Sequence, residues 1–598
     1  MPEYLSPGVY VEEFDSGAVP MEAVSTSTAG FIGMAMRGPV IGKPQLVTSF
    51  ADYQRTYGGY LSEAKYGDKR FLPYAVEQFF LNGGARAFIM RVAPEDAKPA
   101  TASAGRLTFT AANPGMWGNA IRVILEPASK ARTQVYEKVA DNALKVKSCD
   151  GFNAGDVVEL FDGKASSYAV IKSSQDNIIV FESPVTADVV DKNLRPMKYI
   201  RTAEIKVTVK YEDASEEYDA VSFNAEASNY IVARMQKSDL VKVAVGAAAP
   251  AAKPAAPAPV KGKDGKEEPA PAPVAAAAGV VSPFAAVGGK GGMLLVSLDN
   301  GSDGNIAGVT AAEYIGVDNG PGKRTGIQAF LENAVVSIMA VPGVTDADVQ
   351  LSLVAHCENL KSRFAVLDMP LSATKVDELL EQRDIFDSSY AAVYHPWLEC
   401  FDALTKRSAY MPPSGAVMGI YARCDTERGV HKAPANEVVR GCTGLSTPYN
   451  EREQDLLNPQ GVNLIRAFTG RGIRVWGART VSSNALWKYV NVRRLFIYTE
   501  ETIRANTNWV VFEPNSEALW SRVRRTVEMF LASMWRSGAL AGNSPSEAFF
   551  VEIGRTTMTQ DDIDNGRLIC NIGIAPVKPA EFVIFRITQH TAEAGGGE

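Results

Sequence analysis

From Gly291 onward the chain alternates between two textures that few architectures can accommodate. Short apolar runs, "GMLLVSLD", "VVSIMAVPG", "RFAVLDMP" and "SYAAVYHPW", take turns with longer amphipathic stretches, "RTGIQAFLENA", "DADVQLSLVAHCENL" and "ATKVDELLEQRDIF". Strands separated by helices of this length do not pair as hairpins. They pair in parallel, with the crossover helices covering the sheet. The first hundred residues carry a related pattern: "STAGFIGMAMRGPV" reads as a strand ending in a Gly-Pro turn, "FLPYAVEQFFLNGG" as a helix and "ARAFIMRVA" as the next strand. In that helix Tyr74, Val76, Phe79 and Phe80 lie near one face, and Gly83 and Gly84 end it.

Between these α/β regions the texture changes. From about Leu107 to Val245 the sequence offers short alternating strands, among them "IRVILEP", "DVVELFD", "SYAVIKS", "NIIVFES" and "AEIKVTVKYE", at spacings typical of a β-rich module. Gly246 to Gly279 is Pro/Ala-rich and holds almost no large apolar side chains, so it cannot bury enough surface to offset its ordering entropy and reads as a solvated tether. At 598 residues the chain exceeds one hydrophobic core, so several domains are expected.

A long amphipathic helix is predicted after Asn515 as N-cap. Leu519, Trp520, Val523, Val527, Phe530, Leu531, Met534 and Trp535 share one side, and Arg522, Arg525, Met529 and Arg536 the other. The arginine side is either a solvated surface or a docking stripe for an acidic partner.

Both ends are unusually adhesive. "SPGVYVEEF" places Val9, Tyr10, Val11, Glu12 and Phe14 just after Pro7 and Gly8, and "PAEFVIFRITQH" places Phe582, Val583, Ile584, Phe585 and Ile587 just after Pro576 and Pro579. The second run reads as a strand buried on both faces, at a position where chains are usually frayed and polar.

Composition removes several function classes. With 61 Lys+Arg against 68 Asp+Glu the net charge is −7, which gives no general electrostatic reason to bind nucleic acid or an anionic membrane. The six cysteines contain no C-x-x-C pair, so a disulfide framework or zinc knuckle is not expected and a reducing cytoplasm suits synthesis. "MPEYLSPGVYVEE" has neither the basic nor the apolar region of a secretion signal, and no apolar run is long enough to span a bilayer.

A search for catalytic sets finds little. "GVDNGPGKRT" resembles a phosphate loop, but its glycine spacing is one residue too long and Arg324 occupies the place of the magnesium-binding Ser or Thr. A glycine turn is the better reading. His356, His395, His431 and His590 form no metal-binding spacing, and Ser414 in "MPPSGAV" has no histidine nearby in sequence. No catalytic, cofactor or metal residue is assigned, and the chain is read as a non-enzyme.

Several long motifs occur in a fixed order: "SPGVYVEE", "MPPSGAVMGIYARCDTERGVHKAPANE", "LNPQGVNLIRAFTGRGIRVWGART", "YVNVRRLFIYTEETI", "VFEPNSEALW", "EAFFVEIG" and "MTQDDIDNGRLICNIGIAPVKPAEFVIFRI". On these the chain resembles the contractile tail sheath proteins of contractile-tailed bacteriophages, extracellular contractile injection systems and R-type bacteriocins. The resemblance covers nearly all of the C-terminal half and returns in the first hundred residues. It is weakest from about Lys130 to Pro196 and in the Pro/Ala segment, which look like insertions into the family's outward-facing variable region.

The resemblance implies an α/β and α+β multidomain fold. A subtilisin-like α/β core, lacking the protease's catalytic motifs, is built from N- and C-terminal parts of the chain, with an inserted β-rich outer domain and exchanged terminal strands. The expected divisions are an N-terminal arm (1–20), the first part of the core (21–103), the outer domain (104–245), a linker (246–290), the sheath domain (291–480), an inner domain (481–578) and a C-terminal arm with tail (579–598). The implied role is a helical homo-oligomer of stacked hexameric rings around an inner tube protein, with baseplate and terminator or cap proteins as further partners. The arms would link neighbouring subunits by β-strand addition, and Pro7, Gly8, Pro576 and Pro579 would act as hinges. Arg522, Arg525 and Arg536 would face the tube. No cofactor, nucleic-acid contact or direct membrane insertion is implied. Assembly would occur in the bacterial cytoplasm, within a phage tail or a tail-like injection particle. Rival readings are a static shell or surface lattice, which needs no tube, and a subtilisin-like hydrolase, which needs a complete Asp, His and Ser set.

Overall fold

The computed structural model describes residues 21–193, 197–246 and 280–586, which fall into two compact units. The first takes residues 21–35, 39–92 and 309–586, and the second takes the remainder.

The first unit is built on a nine-stranded sheet. Its strands are Ala29–Met34 (β1), Gln45–Val47 (β2), Ala87–Val92 (β3), Ile338–Ala340 (β4), Phe364–Asp368 (β5), Ala391–His395 (β6), Glu437–Val438 (β7), Val462–Phe468 (β8) and Gly472–Val475 (β9), in the order β2-β3-β1-β4-β5-β6-β8-β9-β7. From β3 through β8 every pairing is parallel, whereas β2, β9 and β7 join antiparallel. Strands β1, β4, β5 and β6 are buried at every position, which is why they read as unbroken apolar runs. The sheet therefore combines the opening hundred residues with the later strand–helix alternation.

Two expectations shift. The run "GMLLVSLD" forms Leu294–Ser297, but it pairs antiparallel with Arg122–Ala128 in the second unit, so the parallel alternation begins at β4. The stretch "RTGIQAFLENA" tightens into a 3₁₀ helix, Gly326–Glu332, as short connecting helices often do.

Three helices pack near this sheet: Leu72–Leu81 (α1), Ala347–Leu360 (α2) and Ser414–Glu427 (α3). Helices α1 and α3 share one core with Phe31, Ile89, Phe364 and Tyr394 of the sheet. From Ser414 to Cys424 every residue of α3 is buried, as expected for a helix with no polar face. Two glycines allow this. A Cβ on Gly415 would lie 2.2 Å from the Ala75 carbonyl oxygen, and one on Gly419 would lie 2.5 Å from that of Phe79. The backbones of α1 and α3 thus touch where no larger residue fits.

The start of α3 is anchored by a buried carboxylate. Asp368, at the end of β5, accepts hydrogen bonds from the Ser414 amide (2.8 Å), the Ser414 hydroxyl (2.7 Å) and the Gly343 amide (3.0 Å). Burial outweighs these donors and pushes its pKa up to about 6.

The rest of this unit follows β9. Val490–Asn506 (α4) and Glu517–Arg536 (α5) pack with Phe549–Ile553 (β10) and Cys570–Ile574 (β11) around their own core. The predicted apolar face of α5 is buried, apart from a half-buried Trp535. Its N-cap is Ser516 rather than Asn515. Asn515 is occupied elsewhere: its Oδ1 accepts from Trp520 Nε1 (2.6 Å) and its Nδ2 donates to the Arg567 carbonyl (3.0 Å).

The second unit contains antiparallel sheets of seven, four and three strands around two separate cores. One core is built from Phe109, Val123, Val207 and Val241, the other from Leu144, Val158, Ile179 and Ile200. The alternating strands expected between Leu107 and Val245 are present.

Gly419→Ala should lower unfolding stability by about 1–3 kcal/mol, since the added methyl has no space between α1 and α3. Gly59→Ala, with nothing within 4 Å of the new Cβ, is the control; urea unfolding followed by tryptophan fluorescence reads both. Asp368 predicts a pH dependence. Between its ordinary value of 3.8 and about 6 the folded protein holds a proton that the unfolded chain releases, so stability falls as pH rises through that window. Asp368→Asn should flatten this slope, removing roughly 3 kcal/mol of pH-dependent loss.

Candidate functional site

The sheet β10/β11 has only two strands. Its register pairs Phe549 with Ile574, Val551 with Ile572 and Ile553 with Cys570 on the side packed against α5, and Phe550 with Gly573 on the other. The Phe550 ring lies over Gly573, where a Cβ would meet it at 2.1 Å. Among the described residues no further strand occupies either outer edge. Arg524 Nη2 donates to the Ile553 carbonyl at 2.6 Å, and just beyond β11 Pro576 bridges Leu540. Two-stranded sheets are marginal alone, and open edges invite added strands.

The C-terminal run is apolar and exposed. Phe582, Val583, Ile584 and Phe585 are 68–84% exposed and belong to no strand among the described residues. The expectation of a strand buried on both faces is not met within this chain, because no ladder lies beside it. Val9, Tyr10, Val11, Glu12 and Phe14, their neighbours Pro7 and Gly8, and Ile587 lie outside the described residues. Pro576 is held in a bridge with Leu540, and Pro579 precedes the exposed run.

Sequence reading missed the contacts that hold the described segments next to the two terminal runs. Arg479, itself buried, grips Glu581 through Nε–Oε1 (2.8 Å) and Nη2–Oε2 (2.5 Å), and the Tyr489 hydroxyl donates to Oε2 at 3.0 Å. Burial alone would raise the Glu581 pKa, but Arg479 and Tyr489 outweigh it and hold the carboxyl below its usual range. At the other root, Asn506 accepts from the Glu22 amide (3.0 Å) and donates to the Glu22 carbonyl (2.8 Å). Arg494 forms a buried two-pronged pair with Asp425 and donates to the Thr26 carbonyl at 2.9 Å, while the Thr26 hydroxyl donates to Asp425 at 2.6 Å. No local motif signals such pairs.

The arginine stripe on α5 is uneven. Arg525 and Arg536 are exposed with Met529, whereas the Arg522 guanidinium sits 4.3 Å from the Trp509 ring centroid. The loop before α5 exposes Val511 and Phe512, the latter in a left-handed conformation (φ 67°), an apolar tip that periodicity did not reveal.

The remaining chemical candidates are committed to packing. Arg324 pairs with Asp318 (2.7 Å) and Glu332 (2.8 Å), and the Gly322 amide donates to Glu332, so the glycine loop closes on its own side chains. Ser414 is fully buried on Asp368. His356 lies against Arg363, and His395 bonds Tyr449 through Nε2; burial lowers their pKa values to about 3 and 4. Among the described residues no cluster could hold a metal ion, and no helix is long and apolar enough to cross a membrane.

The family model described as the phage tail sheath protein central domain matches residues 307–481, and that of the phage tail sheath C-terminal domain matches 482–590. A prophage major tail sheath protein of Pseudomonas aeruginosa is 26% identical over 289 residues, covering 46% of this chain and 72% of the relative. Among solved structures, the sheath of an extracellular contractile injection system in its contracted state (PVC) aligns with TM-score 0.50 and 20% identity, over 99% of both chains. The contracted helical sheath of the anti-feeding prophage aligns with TM-score 0.50 and 21% identity, over 98% of this chain and 99% of that one. The mixed α/β multidomain fold is that of these sheaths, and the chain belongs to the contractile tail sheath protein family.

Proposed function

We propose that this structural subunit polymerises as stacked hexameric rings around an inner tube, linked by β-strand addition, and contracts to drive the tube through a target membrane. The observation that carries the reading is the two-stranded sheet β10/β11, beside whose outer edges no further strand lies among the described residues, in a chain with two apolar-rich terminal runs. Each edge would receive one arm from a neighbouring subunit: Val9, Tyr10, Val11, Glu12 and Phe14 from one end, and Phe582 to Ile587 from the other. Main-chain bonds supply affinity in such additions, and alternate side chains supply register.

Magnitudes fit a polymer better than a monomer. Each large apolar side chain of the C-terminal arm contributes about 1.5–3 kcal/mol on full burial, whereas ordering costs about 1–2 kcal/mol per backbone residue. One arm is near balance, so a preformed edge and many simultaneous links are needed. Contraction then requires no fuel molecule: an extended sleeve held by tube and baseplate contacts relaxes to a packing of lower free energy.

The exposed Arg525 and Arg536 support a tube-facing role for this side of α5, with Arg522 held behind them on Trp509. The parallel sheet and its helices support a subtilisin-like core, and the buried Ser414–Asp368 contact supports a scaffold without hydrolase activity. Baseplate and terminator proteins complete the partner set, and assembly takes place in the bacterial cytoplasm.

Negative-stain electron microscopy of the full chain should reveal tubes or stacked rings that disappear when the chain ends at Pro579, with circular dichroism unchanged. Tubes from the truncated protein would exclude arm linkage on that side. Arg525→Glu, which spares the Arg522–Trp509 stack, should impair sheath assembly on the tube; unaltered sheathing would remove the stripe from the tube contact.

A further inference from the structure

We infer that α4 is a double clamp that fixes the roots of both arms to the subunit body, so that each arm pivots only outside its clamp. This rests on the strand-linkage reading above. It assigns positions which that reading leaves open: where the rigid body ends and the moving arm begins.

Both roots are held from one helix. At the start of α4, the Tyr489 hydroxyl donates to Glu581 and Asn491 Nδ2 donates to the Val577 carbonyl at 3.2 Å. One turn further on, Arg494 donates to the Thr26 carbonyl, and at the far end of the helix the Asn506 amide accepts from and donates to the backbone of Glu22. That last contact imitates the paired bonds of a strand ladder, made by a side chain. With a rise of about 1.5 Å per residue, α4 separates the contacts at its two ends by roughly 20 Å. A single helix therefore contacts both roots and would couple them.

The C-terminal clamp relocates the hinge. Pro576 and Pro579 lie on the body side of Glu581, in a stretch already pinned by the Ala541 amide to the Ala575 carbonyl (2.8 Å) and the Val577 amide to the Ala539 carbonyl (3.3 Å). The exposed run starts directly after Glu581. The pivot is thus the Glu581–Phe582 junction, and at the other end it lies outward of Glu22. Arg479 is the counter-ion that makes this possible, since a buried guanidinium left without its carboxylate is strongly unfavourable. Glu581, Arg479 and Asn506 are positioning residues: they aim the arms.

Hydrogen–deuterium exchange on the full-length subunit tests the boundary. In the wild type, protection should hold at the Val577 amide, which donates to the Ala539 carbonyl, and be at least tenfold lower from Phe582 onward. Glu581→Ala should raise exchange at the Val577 amide at least tenfold while leaving β10 and β11 unchanged, and Glu581→Gln, which keeps an acceptor for Tyr489, should lie between. Asn506→Ala should do the same at Glu22 and Ala23. On grids, Glu581→Ala should still form tubes, because its strand is intact, but with a broader spread of diameter than wild type. Protection that ends before Pro576, or that is unaltered in Glu581→Ala, overturns the clamp. If the chain ending at Pro579 still makes tubes, strand linkage fails instead, and the exchange boundary still decides the clamp by itself.

Discussion

The buried pair between Asp425 and Arg494 joins the two halves of the first unit. Each charge sits near the helix end that disfavours it, Asp425 in the last turn of α3 and Arg494 near the start of α4. With side chains only 5% and 3% exposed, neither is tolerable alone, and removing one partner of such a pair costs about 3–5 kcal/mol. Two parallel prongs and the Tyr421 ring, 4.7 Å from the guanidinium, satisfy the arginine, and the carboxylate also accepts from Thr26. One interaction thus locks the buried helix α3 of the parallel sheet to α4, and draws in the chain at Thr26.

The site differs in kind from an enzyme's. Its notable features, among the described residues, are a sheet of only two strands and a run of four exposed apolar residues. In a monomer these are aggregation liabilities. In the proposed strand-linked assembly they would be connections to a neighbour. Titratable groups that sequence reading scanned for chemistry, Ser414, His356 and His395, are enclosed and hold packing together.

The two units divide along the same line as family likeness. The matched sheath domains begin at residue 307, almost where the first unit resumes at Val309. The second unit has its own cores and antiparallel sheets, so its surface can vary without repacking the parallel sheet. The resemblance weakens within this unit, between Lys130 and Pro196, where a separate core supports the seven-stranded sheet.

Local patterning by itself determined the parallel sheet, the buried face of α5, the β-rich middle and the adhesive C-terminal run, because each is written in side-chain periodicity over a few residues. The ordered motifs determined the family. Tertiary structure alone decided that Leu294–Ser297 belongs to the second unit, that Ser516 rather than Asn515 caps α5, and that Gly415 and Gly419 mark a backbone contact. It also decided the clamps, whose partners lie 102 residues apart for Arg479 and Glu581, 69 for Arg494 and Asp425, and 484 for Asn506 and Glu22. Such pairs leave no periodic trace, since a single polar residue has the same local appearance whether it faces solvent or a buried partner. Only the folded chain brings Glu22, Thr26, Val577 and Glu581 to one helix.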